Sequence, residues 1–327
     1  MTQKAQLIGD IGGTNARFAL THGDGAVSYQ MARSFACAEH VSPEAAISAY
    51  LEDVGAPRLE SVCIAAAGPV TNGAIRITNH PWVLQSDALA AHCDGADVQL
   101  LNDFEAVAHA LPHLAPEDIL VIGSASPELP PSPGFCQAVV GPGTGLGAAG
   151  LRDAAGGPVA IESEAGHAGF ASESALQDAL LEHLRSRYGR VSVERLVSGR
   201  GLGNLHAGLA AIRGIPAPPL DAPGVFAAAT KAADPLADEA LALFYEMLGQ
   251  FAGDLALQLG AWSGVFLTGG VAQRAPERLA ASRFRAGFEN KGRHRELMER
   301  IPTALIMHPQ PGLLGAAAAV AKGQHAQ

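Results

Sequence analysis

Two apolar runs, each interrupted by a knot of glycines, constrain what this chain can fold into. Residues 6–20 read QLIGDIGGTNARFAL, and residues 136–151 read CQAVVGPGTGLGAAGL. In both, strand-forming residues flank a polar, glycine-rich turn, the pattern of an antiparallel hairpin. Gly9 and Gly141 stand 132 residues apart, about the length of one domain. The whole chain has 327 residues, more than a single core usually organises, so two related halves are expected, each led by a glycine hairpin. Only the hydrophobic-glycine-hydrophobic outline recurs between them.

The element after each glycine knot separates one kind of anion-binding loop from another. In dinucleotide-binding and P-loop folds the strand and its turn lead into a helix N-terminus. Here Gly12-Gly13 leads into RFAL and Gly145-x-Gly147 into AAGL, both strand-like, which disfavours those readings. Main-chain N–H groups of a glycine turn can still bind an anion. Two such turns could clamp a phosphate chain from opposite sides, with Thr14, Asn15 and Thr144 adding side-chain bonds. Asp10 would help hold a hydrated Mg²⁺, a hard cation suited to carboxylate oxygen. Either turn alone is equally well a plain hairpin, and it is their pairing that favours the clamp. Arg17 is either a phosphate contact or a surface cation beside Asp10.

Composition narrows the partners. The formal net charge is −10, which offers no broad cationic field to a nucleic acid. Cys37, Cys63, Cys93 and Cys136 are scattered, with no C-x-x-C pair, so zinc is not expected and buried free thiols of a reducing compartment are. The apolar run before Gly9 is too short for a signal peptide, and no stretch is long enough to span a bilayer. A soluble, cytoplasmic protein is expected. Lys291 and Arg293 read as solvated charges, and Trp82 as packing.

Further strands are expected over residues 61–67 (SVCIAAA, ended by Gly68-Pro69), over 97–101 (DVQLL) and in GVFLT before Gly269-Gly270. FEAVAHAL from Phe104 has helical period, which places Asn102 and Asp103 at a strand-to-helix junction. On residues alone, an Asp at a helix start reads first as an N-cap. Helices are expected over 173–187, over 238–262 and in PGLLGAAAAVAK, with a loop from Pro216 to Pro223.

The set GDIGGTNARFAL, LLNDFEAV, VVGPGTGLGAAGL, ESEAGHAGFA, ERLVSGRGLGNL and GVFLTGGV, running in order to the PGLLGAA segment, resembles the bacterial glucokinases, in the hexokinase branch of the actin-like ATPases. The resemblance covers nearly the whole chain. It implies a two-domain α/β, ribonuclease H-like fold with an interdomain cleft, the smaller domain being 1–113 plus 308–327 and the larger 114–307. It also implies a first phosphate motif carrying Gly9, Asp10, Ile11, Gly12, Gly13 and Thr14, a second carrying Gly143, Thr144 and Gly145, and an adenosine motif carrying Gly269 and Gly270. The zinc-binding cysteine cluster of the related ROK sugar kinases is missing, which points to the zinc-free group.

The activity implied is transfer of phosphate from ATP, with Mg²⁺, to O6 of glucose. Asp103 matches the general base, and Asn102, Glu164, His167 and Glu194 match sugar-hydroxyl contacts. For Glu164, Glu194 and His167 only the joint motif context outweighs ordinary surface or structural roles. A homodimer is implied as well. The rivals are a kinase of mannose, fructose or an amino sugar; a sugar-sensing regulator, which would need a DNA-binding segment where only eight residues precede Gly9; and a nucleotide-driven switch of the actin or chaperone type.

Overall fold

The computed structural model describes residues 5–22, 27–230 and 234–323, so the outermost residues of the expected small domain lie outside the described residues. Contacts divide the chain into two units. The first is Met1–Ala115 with Leu151–Glu162 and His308–Gln327, and the second is Pro116–Gly150 with Ser163–Met307.

The first unit begins with the expected hairpin: β1 (Ala5–Ile11) pairs antiparallel with β2 (Asn15–His22), and β3 (Gln30–Ala36) extends it. After α1 (Pro43–Asp53), β4 (Leu59–Ala66) lies parallel to β1. A small meander of β5 (Val70–Thr71), β6 (Ala74–Arg76) and β7 (Val83–Gln85) leads to α2 (Ser86–His92). β8 (Asp97–Asn102) then joins β4 in parallel, giving the order β3-β2-β1-β4-β8, and α3 (Asp103–Ala110) follows without a break.

This sheet is covered on both faces, so its central strands are continuously apolar rather than alternating. Leu7, Phe18, Val62 and Ile64 pack with Ile47 and Tyr50 of α1. Their neighbours Ile8, Ala19, Cys63 and Ala65 point the other way, into a core shared with Ala106 of α3 and with Leu313, Ala316 and Ala317 of the helix Pro311–Gly323. Trp82 is buried in the first of these cores, as expected.

The second unit includes β9 (Ile119–Ile122), and its glycine hairpin is β10 (Cys136–Pro142) with β11 (Leu146–Arg152); β12 (Val159–Ser163), which continues that sheet, falls almost wholly in the segment counted with the first unit. Helices α4 (Ala175–Tyr188), α5 (Gly199–Arg213), α6 (Ala222–Thr230) and the 25-residue α7 (Pro235–Leu259) come next. β13 (Val265–Leu267) lies parallel to β10, then come α8 (Pro276–Ala280), α9 (Phe284–Glu289) and α10 (Arg295–Arg300), and β14 (Thr303–Ile306) lies parallel to β13. The last described element is α11 (Pro311–Gly323), which belongs to the first unit. The second sheet has the order β12-β11-β10-β13-β14-β9.

Its first five strands repeat the first sheet: an antiparallel three-strand edge, then two parallel strands reached by crossovers. The weak outline visible in the sequence is therefore a repeat of topology, and the architecture is the two-domain actin-like ATPase fold.

Three local expectations need correcting. Pro223 belongs to α6 rather than to the loop before it, at a position in the first turn where the missing N–H costs nothing. Lys291 is not solvated: its side chain is 7% exposed, and Nζ lies 3.1 Å from Glu173 Oε1 and 2.8 Å from Asp254 Oδ1. Its partners are remote in sequence, so no local pattern announces them, whereas Arg293 is exposed as expected. Cys37, Cys63 and Cys93 are buried free thiols, but Cys136 is only half-buried.

Candidate functional site

In the first unit the strand register gathers the expected residues. Ile11 pairs with Ala66, and Ala66 pairs with Asn102, so the β1–β2 turn and the β8–α3 junction emerge at the same carboxyl end of three adjacent strands. That edge is where open α/β sheets bind ligands. Gly12 N–H donates to the Asn15 carbonyl at 3.0 Å and closes the turn, which leaves Gly13 and Thr14 exposed at its tip.

Asp10 faces Arg17 across the hairpin, with Arg17 Nη1 3.6 Å from Asp10 Oδ2. Burial raises the Asp10 carboxyl above its ordinary range, and Arg17 opposes this through its charge and a hydrogen bond. The same carboxyl lies against the first turn of α11: a Cβ on Gly312 would come within 2.7 Å of Asp10 Cγ. The aligned N–H groups of that turn favour an anion there.

The N-cap of α3 is Asn102, not Asp103. Its Oδ1 accepts from Phe104 N at 2.9 Å and from Glu105 N at 3.4 Å, while Nδ2 donates to the Gly68 carbonyl at 3.0 Å. Glu105 completes a capping box by accepting the Asn102 N–H at Oε2, 3.3 Å away. With capping done by its neighbour, Asp103 occupies the first helical position and is half-buried, and its Oδ1 accepts from Phe104 N at 3.0 Å. Sequence reasoning passed over Glu105, although the Asn-x-x-Glu spacing ahead of an apolar run was a usable signal.

In the second unit the glycine turn is tied on three sides. Gly143 N–H donates to the Gly145 carbonyl at 2.8 Å, and Gly199 N–H, at the start of α5, donates to the Gly143 carbonyl at 2.8 Å. Leu146 N–H donates to Glu194 Oε2 at 3.0 Å. Glu194 sits so close that a Cβ on Gly145 would come within 2.6 Å of that oxygen, so any larger residue must displace the carboxylate. The carbonyl of Glu194 accepts from Ser198 Oγ, which also caps α5.

The segment from Leu267 to Val271 zips onto the end of β10: Thr268 N–H donates to the Val140 carbonyl and Val271 N–H to the Pro142 carbonyl. Gly269 has φ +88°, and a Cβ there would strike the Pro142 carbonyl. Glu164 and His167 bracket a short 3₁₀ turn, Ala165–His167, and both are exposed, with His167 Nε2 3.9 Å from Glu164 Oε2. Gly166, between them, packs directly on the Leu146 carbonyl. The expected second phosphate turn, adenosine segment, Glu164–His167 turn and Glu194 thus form one connected cluster. Two solvent-facing polar side chains beside a glycine turn can accept hydrogen bonds from a polyhydroxylated ligand, while the turn offers N–H groups to an anion.

The glucokinase family model matches residues 7–323. A glucokinase of Xanthomonas campestris pv. campestris is 42% identical over 322 residues, covering 96% of this chain and 94% of that protein. Among solved structures, a glucokinase from an Antarctic psychrotroph superimposes with a TM-score of 0.88 at 35% identity, covering 97% of this chain and 98% of that one. The glucokinase of Balamuthia mandrillaris, solved in complex with glucose, shares the fold with a TM-score of 0.75 at 22% identity, over 98% of this chain and 94% of that one. The motifs, the repeated sheet and these relatives agree along almost the entire length: this chain belongs to the glucokinase family.

Proposed function

We propose that the protein transfers the γ-phosphoryl group of ATP to O6 of D-glucose, giving glucose 6-phosphate and ADP. The observation that carries this is the register of the first sheet. It sets the Asn102–Asp103 junction two strands from the phosphate-type turn, roughly 10 Å away at the usual strand spacing, on one edge. Asp103 accepts the O6 proton, O6 bonds to the γ-phosphorus, and the bond from that phosphorus to the bridging oxygen of ADP breaks. Such transfer needs alignment and charge neutralisation more than covalent help.

Asn102, Glu164, His167 and Glu194 are proposed to accept or donate to the sugar hydroxyls. Gly9–Thr14 and Gly143–Gly145 are proposed to hold the phosphates, and Gly269 and Gly270 the adenosine. Asp10 supplies one anionic oxygen, and among the described residues no group of three His, Cys, Asp or Glu side chains gathers to form an all-protein cage. One carboxylate completed by water suits Mg²⁺. When bound, Mg²⁺ would neutralise charge on the phosphate chain. No zinc is proposed.

The domains are proposed as 1–113 with 308–327 and 114–307, and the working form as a cytoplasmic homodimer. No described helix is long and apolar enough to cross a membrane.

A coupled assay crossing glucose, mannose, fructose and glucosamine with ATP, ADP and polyphosphate tests the reading. Glucose with ATP is expected to give the highest kcat/KM, and a higher value for mannose would replace the substrate. Glu194 carries a second expectation. Gly145→Ala must push the Glu194 carboxylate off Leu146 N–H, which forfeits a charge-assisted hydrogen bond worth about 1.5 kcal/mol. If Glu194 also holds sugar, the glucose KM should rise about tenfold. An unchanged KM would remove Glu194 from the sugar contacts.

A further inference from the structure

Glu105 stands beside the Asn102–Asp103 turn, and the chemistry above leaves it unused. Its half-buried carboxylate accepts the Asn102 N–H, while Asn102 Oδ1 returns the bond to the N–H groups of Phe104 and Glu105. The geometry of the turn is thereby closed from both sides, and Asn102 Nδ2 on Gly68 fixes it to the loop after β4. We propose that Glu105 is a positioning residue whose ionised form sets the Asn102–Asp103 turn for sugar, so that glucose affinity is governed by a single proton on this carboxyl. The inference rests on reading Asn102 and Asp103 as sugar contacts.

The surroundings make that proton available near neutrality. Burial and then the charge of Glu162 on β12 push the Glu105 carboxyl up to about 7, against the Asn102 N–H, which pulls it down. The Cys63 thiol on β4 is pushed up by burial and by Glu105, and Asp103 and His109 stand on the same helix as Glu105. α11 packs against α3 with no ionisable side chain from Pro311 to Ala321. A carboxylate holds a backbone N–H about twice as strongly as a neutral acceptor does, so protonation loosens the cap.

If only the ionised form is competent, affinity scales with its fraction, and glucose should bind about tenfold more weakly at pH 6 than at pH 8. Calorimetric titration of the full-length protein with glucose, at several pH values and in two buffers of different ionisation enthalpy, reads this directly. Binding at pH 7 is expected to release roughly half a proton. Glu105→Gln keeps an acceptor for Asn102 N–H but no charge, so it should bind no more tightly than wild type does at pH 6 across the whole range, without proton release.

Stability should move the other way. Folding raises this group's pKa, so its contribution to wild-type stability is full below the ordinary glutamate range and is lost as pH climbs through about 7. Glu105→Gln removes that loss and should melt no lower than wild type at pH 8. A merely structural role would instead lower the melting temperature and leave the pH dependence of binding intact. No proton release by the wild type, or a wild-type pH profile in Glu105→Gln, overturns the proposal. Binding requires no turnover, so the outcome is independent of whether Asp103 proves to be the base.

Discussion

Replacing Asp103 by asparagine is expected to lower kcat about 10²- to 10⁴-fold, the range of a lost general base, while glucose Kd stays within about threefold. The side chain keeps its size and its place at the first position of α3, since the cap belongs to Asn102 and the box to Glu105. What disappears is the ability to take a proton. Steady-state kinetics with equilibrium glucose titration separates the two effects. Turnover near the wild-type rate would reassign the base, and a collapse of glucose binding would make Asp103 chiefly a ligand.

The second large effect concerns stability. α3 and α11 cross so closely that a Cβ on Gly315 would run into the Ala106 carbonyl and come within 3.2 Å of Ala110 N. Both obstacles are backbone, held in the hydrogen-bond ladder of a helix, so neither can step aside as a flexible side chain could. Gly315→Val should force the helices apart and cost about 3 kcal/mol, the upper end of ordinary overpacking. For a unit of this size that lowers Tm by roughly 6–12 °C. Because α3 begins at Asp103, kcat should fall as well. A variant melting within a degree or two of wild type would show that the helices can slide.

Legibility in the sequence followed the range of the interactions involved. The two hairpins, the strand before Gly68 and the start of α3 are written in neighbouring residues, and each stands where periodicity and turn chemistry put it. The repeated sheet order was visible only as an outline, because it depends on which strands meet across a hundred residues. Lys291 was misread for the same reason, its acceptors Glu173 and Asp254 being supplied by other elements. Asp103 could be a cap or a base on residue type alone, and only the observed bonds of Asn102 assign the capping elsewhere. Glu194 was legible as a motif residue, but its grip on Leu146 N–H was not, since that bond joins the second glycine turn to a segment 48 residues on.

The discontinuity of the first unit bears on how the protein is made. Ile8, Ala19, Cys63, Ala65 and Leu101 share their core with α11, whose first residue comes 210 positions after Leu101. The residues of the second unit all precede α11 in the chain, so its core does not depend on that helix. The first sheet therefore waits for a helix made much later than its strands, and a nascent chain stalled before Pro311 would expose one greasy face of that sheet to chaperones.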